Sequence, residues 1–304
     1  MKPTIVVPLD GSENAEQALP YARALAQRSE GSLLLVSVVD IPVEFGAWSM
    51  ASAGMYGIEL DKWQQESHTY LQRIAGEQTG LTVTTMVRIG SAAAEILAAT
   101  EGAENPVIVT TSHGRTGLSR IFMGSVASKL VRESKCPVLV IRMREQPAAA
   151  TPAFDRVLVP LDGSPFSEEG LERAVDVFGG GLTLHLLRVV EVPTIPAAGM
   201  ADGGLALNYG LIDEYMDATR DVAAEYLKEM TEKLTAEGHT VTADVRQGIV
   251  ADEVLKAAAE HQADVIAMAT HGRGGLGRIF LGSVAERVLQ EAERPLLLTK
   301  PQKR

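Results

Sequence analysis

Two short stretches carry the residue types that phosphate chemistry requires. "SHGRTGLSRIFMGS" spans residues 112–125 and "THGRGGLGRIFLGS" spans 270–283, with ten of fourteen positions identical. Their glycines let the backbone adopt positive φ and approach a ligand closely. Gly124-Ser125 and Gly282-Ser283 sit where an amphipathic helix is expected to start, offering unpaired N–H groups and the positive end of a dipole to an anion. Arg115, Arg120, Arg273 and Arg278 add cations to an otherwise acidic chain, and a polyphosphate is the ligand this combination suits best. His113 and His271 precede the first glycines, where they read either as polar strand-end residues or as bases or metal ligands. In the plain alternative the glycines only close a tight turn, and Ser283 with Glu286 forms a capping box. The first copy has Ser128 in place of that glutamate, so the box is not shared.

Asp10 and Asp162 form a second candidate pair, each ending an apolar run in "PLDGS". Ser12 and Ser164 read as helix caps, which leaves the aspartates spare for ribose hydroxyls or for a Mg2+ carried by phosphates. An Asx turn is the structural alternative. The pattern GxxxxGK[ST] is absent, and GxGxxG occurs only as Gly272, Gly274 and Gly277. It follows the fourth strand of its half rather than the first, and Thr116 and Ser119 break it in the first copy, so it is read as coincidence.

The elements that must position these residues come twice. "TIVVPLDGS" (4–12) returns as "RVLVPLDGS" (156–164) at an offset of 152, and "LLLVSVVDIP" (33–42) as "LHLLRVVEVP" (184–193) at 151. The glycine stretch returns at 158, so the second half gained seven residues between its second strand and that turn. The expected units are residues 1–144 and 155–304, joined by a linker at 145–154. Short β-branched apolar runs read as strands buried on both faces. Ala15, Ala18, Leu19, Ala22, Leu25 and Ala26 lie at helical spacing, as do Leu171, Ala174, Val175 and Phe178. Ser164-Pro165 reads as a cap with proline at the first helical position. Further helices fit 61–78, 91–100 and 125–134. Alternation of strand and helix gives an α/β fold, two tandem doubly wound parallel-sheet domains of Rossmann-like type. Segments 40–56 and 191–209 lack periodicity and read as a flap over a ligand or as surface loops.

At 304 residues with 46% hydrophobic, 22% charged and 5% aromatic residues, the chain has the composition of globular domains. A net charge of −11 argues against nucleic acid and anionic lipid as partners. Cys136 is the only cysteine, which excludes an intrachain disulfide and a cysteine zinc site, and it reads as a buried inert thiol. The N-terminal apolar run is too short for a signal peptide and no stretch suits a membrane span, so the expectation is a cytoplasmic protein.

"VPLDGS", the "VVD" or "VVE" end of strand two, the glycine turn and the final "PVLVI" or "PLLLT" strand together resemble the universal stress protein family in tandem form. The turns resemble that family's ATP-binding branch, G-x2-G-x9-G-[S/T]. The matching positions are Gly114 with Gly124-Ser125, and Gly272 with Gly282-Ser283, while Thr111 and Ala269 replace the motif's first glycine. The resemblance implies a strand order of 3-2-1-4-5 in each half and one adenine nucleotide per half. It places Pro8, Asp10, Pro160 and Asp162 beside adenine and ribose, and the backbone of Val38 and Val189 on the adenine. The phosphates would be held by Gly114, Arg115, Gly117, Gly124, Ser125 and Val126. In the second half Gly272, Arg273, Gly275, Gly282, Ser283 and Val284 would hold them. It implies pairing through last strands, within the chain or in a homodimer, and an ATP-dependent stress or signalling role, with Mg2+ accompanying ATP. A slow ATPase or phosphotransferase, or an FAD binder, is the alternative; no Ser-His-Asp set, zinc cluster or paired carboxylates point to another enzyme.

Overall fold

The computed structural model describes residues 2–40, 53–113, 123–143, 152–191, 209–270 and 281–300. The first half runs β1 (Thr4–Pro8), α1 (Glu13–Glu16), α2 (Leu19–Arg28), β2 (Ser32–Val39), α3 (Ala53–Glu77), β3 (Val83–Ile89), α4 (Ala92–Glu101), β4 (Pro106–Thr111), α5 (Ser125–Glu133) and β5 (Val138–Ile141). The second runs β6 (Arg156–Pro160), α6 (Pro165–Phe178), β7 (Thr183–Val190), α7 (Tyr209–Ala236), β8 (Thr240–Gln247), α8 (Val250–Glu260), β9 (Val265–Ala269), α9 (Ser283–Glu291) and β10 (Leu296–Thr299).

All ten strands form one sheet, β3-β2-β1-β4-β5-β10-β9-β6-β7-β8. Each half therefore has the order 3-2-1-4-5 that the resemblance implies, and its strands are parallel. The halves meet where β5 and β10 pair antiparallel, with Leu139 opposite Leu297. Alternation along the strands fills a core on each face. Ile5, Val7, Leu139 and Leu297 join the core under α2, α3, α6 and α7, while Val6, Val138, Val140, Leu296 and Leu298 join the one under α4, α5, α8 and α9. Both cores run across the two halves.

The seam has a pseudo-twofold. Arg142, just past β5, donates to the Gln290 carbonyl in the last turn of α9, and Lys300, just past β10, donates to the Arg132 carbonyl in the last turn of α5. Each cation thus sits at the negative end of a helix from the other half. Phe154, at the end of the linker stretch, is buried and stacks on Phe178 at 5.2 Å, with Tyr21 of α2 at 6.4 Å. Residues 145–151 of that stretch lie outside the described residues.

Three local expectations need correction. The apolar face from Ala15 to Ala26 belongs to two helices, because Pro20 sits in the first turn of α2 and cannot donate to the Glu16 carbonyl. α6, whose proline stands at its first position after the Ser164 cap, stays continuous. The first aperiodic segment also ends early, since α3 already begins at Ala53, whereas the second gives way to α7 at Tyr209 as expected; 41–52 and 192–208 lie outside the described residues. Cys136 is half-buried rather than buried, and burial pushes its thiol pKa up, which keeps it protonated and unreactive. Among the described residues no helix is long and apolar enough to cross a membrane.

α6 approaches the sheet closely at Gly170, where an added Cβ would lie 3.1 Å from the Ala269 nitrogen and from Thr299 Oγ1. Two effects compete in Gly170→Ala: about 1 kcal/mol gained in helix propensity, against roughly 1–3 kcal/mol for overpacking a core contact. The clash with backbone wins, and the variant should unfold at lower urea than the parent, monitored by circular dichroism.

Candidate functional site

β1 pairs with β2 on one side and β4 on the other. The helices that follow β1 pack on one face of the sheet, and α5, which follows β4, packs on the other. Chain departing in opposite directions from neighbouring strands opens a crevice at their carboxyl ends, the usual ligand position in doubly wound sheets. β6, flanked by β7 and β9, repeats the arrangement with α6 and α9.

The strand-end aspartates are not spare. Asp10 Oδ1 accepts from the Ser12 amide at 3.0 Å and its hydroxyl at 2.6 Å, and Asp162 Oδ1 accepts from the Ser164 amide at 3.0 Å and its hydroxyl at 2.5 Å. Each serine in turn caps its helix, accepting from the Ala15 and Ser167 amides at 3.2 Å. Aspartate, serine and helix start are therefore one relay in each half. Pro8 and Pro160 end the preceding strands, both partly exposed.

Opposite lie the starts of α5 and α9. Gly124 and Gly282 are their N-caps, and neither helix has a side-chain cap. Ser125 and Ser283 are the first helical residues, exposed to solvent, and Val126 and Val284 follow them. The capping-box alternative for Ser283 and Glu286 is thus absent; Glu286 lies 3.5 Å from Arg132 instead. The first amides of both helices have no intrahelical acceptor. Gly124 and Gly282 do not use positive φ, having φ of −58° and −61°. Their need for glycine is steric. Each donates at 2.8 Å to the carbonyl just past the preceding strand, Ser112 or Thr270, and a Cβ would come within 3.3 Å or 3.2 Å of that oxygen.

At the motif's first position, Thr111 is buried and donates to the His113 carbonyl at 2.8 Å. Ala269 is buried where α6 crosses at Gly170. A small side chain there serves helix packing. Val38 and Val189 are partly buried near the ends of β2 and β7, in register with Arg88 and Arg246. His113 Nδ1 lies 3.2 Å from Ser112 Oγ, and burial followed by the charge of Arg142 pushes its pKa down. Gly114, Arg115, Gly117, Arg120, His271, Gly272, Arg273, Gly275 and Arg278 lie outside the described residues.

A repeated pair escaped the motif reading. The Tyr70 hydroxyl donates to Glu16 at 3.0 Å and the Tyr226 hydroxyl donates to Glu168 at 3.1 Å. Burial, with the adjacent glutamate, pushes both phenol pKa values up, and Asp10 and Asp162 contribute in the same direction. The recurrence of Tyr-Leu at 70–71 and 226–227 was the available signal.

Two Rossmann-like units, each with an uncapped helix start across the switch point from an anchored aspartate, define a tandem doubly wound α/β protein. The model of the universal stress protein family matches residues 1–142 and 153–300. The chain belongs to that family. A universal stress protein of Mycolicibacterium smegmatis is 29% identical over 98% of this chain and 97% of its own length. One of Mycobacterium tuberculosis is 26% identical over 97% of this chain and 96% of its own. The crystal structure of a universal stress protein from Archaeoglobus fulgidus superposes with a TM-score of 0.67 at 22% identity, covering 99% of this chain and 97% of the other.

Because Asp162 anchors the Ser164 cap, Asp162→Ala should lower stability by about 1.5–3 kcal/mol, the range for hydrogen bonds to a charged acceptor. Urea unfolding of the full chain measures it, and an unchanged midpoint would show that the relay carries no weight.

Proposed function

We propose that each half binds one adenine nucleotide, ATP with Mg2+, at its switch-point crevice. The protein then acts in the cytoplasm as a nucleotide-dependent stress-response or signalling protein. The observation that carries this reading is the twin helix start: α5 and α9 begin without a side-chain cap. Their glycine N-caps also hold backbone at a range that a Cβ would fill. Free amides at the positive end of a helix suit phosphate oxygens. Ser125, Val126, Ser283 and Val284 would supply those amides, and Asp10 and Asp162 would take ribose hydroxyls or the Mg2+. Pro8, Val38, Pro160 and Val189 would border the base. Thr111 and Ala269 would back the crevice from the helix-packed side. The glycines and arginines of 114–117 and 272–275 would complete the phosphate seat. Mg2+ would supply charge neutralisation for the triphosphate.

Mass spectrometry of nucleotide released from gently purified, denatured protein should detect ATP, and FAD or no nucleotide would overturn the reading. Gly124→Val with Gly282→Val should weaken ATP binding at least tenfold, about 1.4 kcal/mol, with the far-ultraviolet spectrum retained. Isothermal titration measures it.

One observation favours a second reading, slow hydrolysis. His113 stands just past β4, and its lowered pKa leaves it neutral and able to accept a proton. If His113 is that base, His113→Ala should remove steady-state phosphate release while ATP binding persists. Release equal to that of the parent excludes it.

A further inference from the structure

Away from both crevices, the outer edge of the second half gathers His185 of β7, Asp244 of β8 and His261 at the end of α8. One donor atom from each lies within 4.8 Å of the others. His185 is 5% exposed, and its Nδ1 lies 2.8 Å from Thr242 Oγ1. Its Nε2 is buried without a hydrogen-bond partner among the described residues. A buried nitrogen of this kind is costly to keep unless something else satisfies it. Asp244 Oδ2 lies 3.5 Å from His185 Nε2 and 3.4 Å from His261 Nε2. Those separations are long for hydrogen bonds. Two donor atoms each ~2.0–2.1 Å from one tetrahedral ion stand about 3.4 Å apart.

The first half shows what packing alone selects here. Strand register places Leu34 where the second half has His185, and Met86 where it has Asp244. The constant offset of 158 places Ala103 opposite His261. Leu34 and Met86 belong to the apolar core beneath α4. The second half thus replaces a dry contact with two imidazoles and a carboxylate.

We propose that His185, Asp244 and His261 form a binding site for one divalent transition-metal ion of the Zn2+ class. Imidazole and carboxylate are ligands that Zn2+ accepts, and three of them leave a fourth position for water. With an ion on Nε2, Thr242 Oγ1 would accept the Nδ1 proton of His185 and so fix the tautomer, the usual outer-sphere arrangement around a metal-bound imidazole. Asp244 and His261 are partly exposed, which gives the ion a way in. The two rings stack at 3.4 Å between centroids and 23° between planes, so binding would splay them until both Nε2 lone pairs, which lie in the ring planes, meet at the ion. Arg246 borders the site, 3.2 Å from Asp244 and 3.5 Å from His261 Nε2. Glu260 holds it at 2.7 Å and Glu253 stands at 3.9 Å, with Lys256 2.7 Å from Glu253. Asp244, Glu253 and Glu260 outnumber Arg246 and Lys256, so the surroundings remain favourable to a cation.

The test is titration of the chelator-treated, nucleotide-free full chain with ZnCl2, read by competition with a chromogenic chelator. One Zn2+ per chain should bind with a Kd below about 10 μM, and His261→Ala should weaken it at least tenfold. The double variant His185→Leu, Asp244→Met restores the first-half residues, so it should fold, with thermal unfolding no lower than the parent's, and take up no ion. Failure of the parent to bind one equivalent by about 100 μM Zn2+ would overturn the proposal. So would equal uptake by the folded double variant.

Discussion

The backbone ladder that seats β1 between β2 and β4, and β6 between β7 and β9, is the constraint from which the rest follows. It makes neighbouring strands send their chains to opposite faces, and only that divergence opens a crevice. The ladder also continues past the strands proper. Leu9 and Leu161 donate to the Val36 and Leu187 carbonyls at 2.8 Å, while Ser112 and Thr270 donate to Ile141 and Thr299 at 2.9 and 2.8 Å. The residues flanking each crevice are therefore placed by sheet hydrogen bonds, not by loop conformation. Ile5, Val6 and Val7 are all fully buried, so a one-residue slip would exchange two filled core faces and is strongly opposed.

The antiparallel seam of β5 and β10 changes which strands are edges. Without it each half would expose its last strand, four residues long in both cases and apolar except for Thr299. With it, the sheet ends at β3 and β8, the strands in which no position is fully buried; β8 carries Asp244 and Arg246, and β3 carries Arg88. Charge on an edge discourages pairing with further chains. It also explains why a polar cluster is tolerated at β8, where one flank of the strand meets water.

Much of this architecture was legible in the chain, because apolar runs and internal repetition report strands and their order of occurrence directly. Strand neighbourhood was not; it came from family resemblance, since β1 and β4 are about a hundred residues apart and no local pattern records their pairing. The roles of Asp10 and Asp162 were half legible. Their place at strand ends could be seen, but a side chain that anchors the next serine and one that awaits a ligand have the same spelling. Glycine misled in a similar way: Gly124 and Gly282 invite a left-handed reading, whereas a carbonyl within 3.3 Å of the absent Cβ is the cause. The helix break at Pro20 was foreseeable, because Ala15 to Ala26 kept the period while proline removed a donor in its midst.

Repetition sharpens the contrast between what the fold requires and what it merely permits. The aspartate-serine relay, the tyrosine-glutamate pair and the glycine N-caps recur in both halves at or near the crevices. Arg88 with Glu95 and Arg246 with Glu253 also recur, at 3.6 and 3.9 Å. Where the halves part company, the same backbone has been given a different task. Leu34 and His185 occupy equivalent strand positions, and the leucine shows that an apolar residue completes the packing there. Replacing it with histidine forfeits apolar burial and leaves a buried nitrogen unpartnered, a cost on the order of 1–3 kcal/mol. The stacked His261 and the nearby Asp244 do not relieve that nitrogen by hydrogen bonding. The stability of the second half therefore argues against His185, and the proposed ion is what would offset that cost.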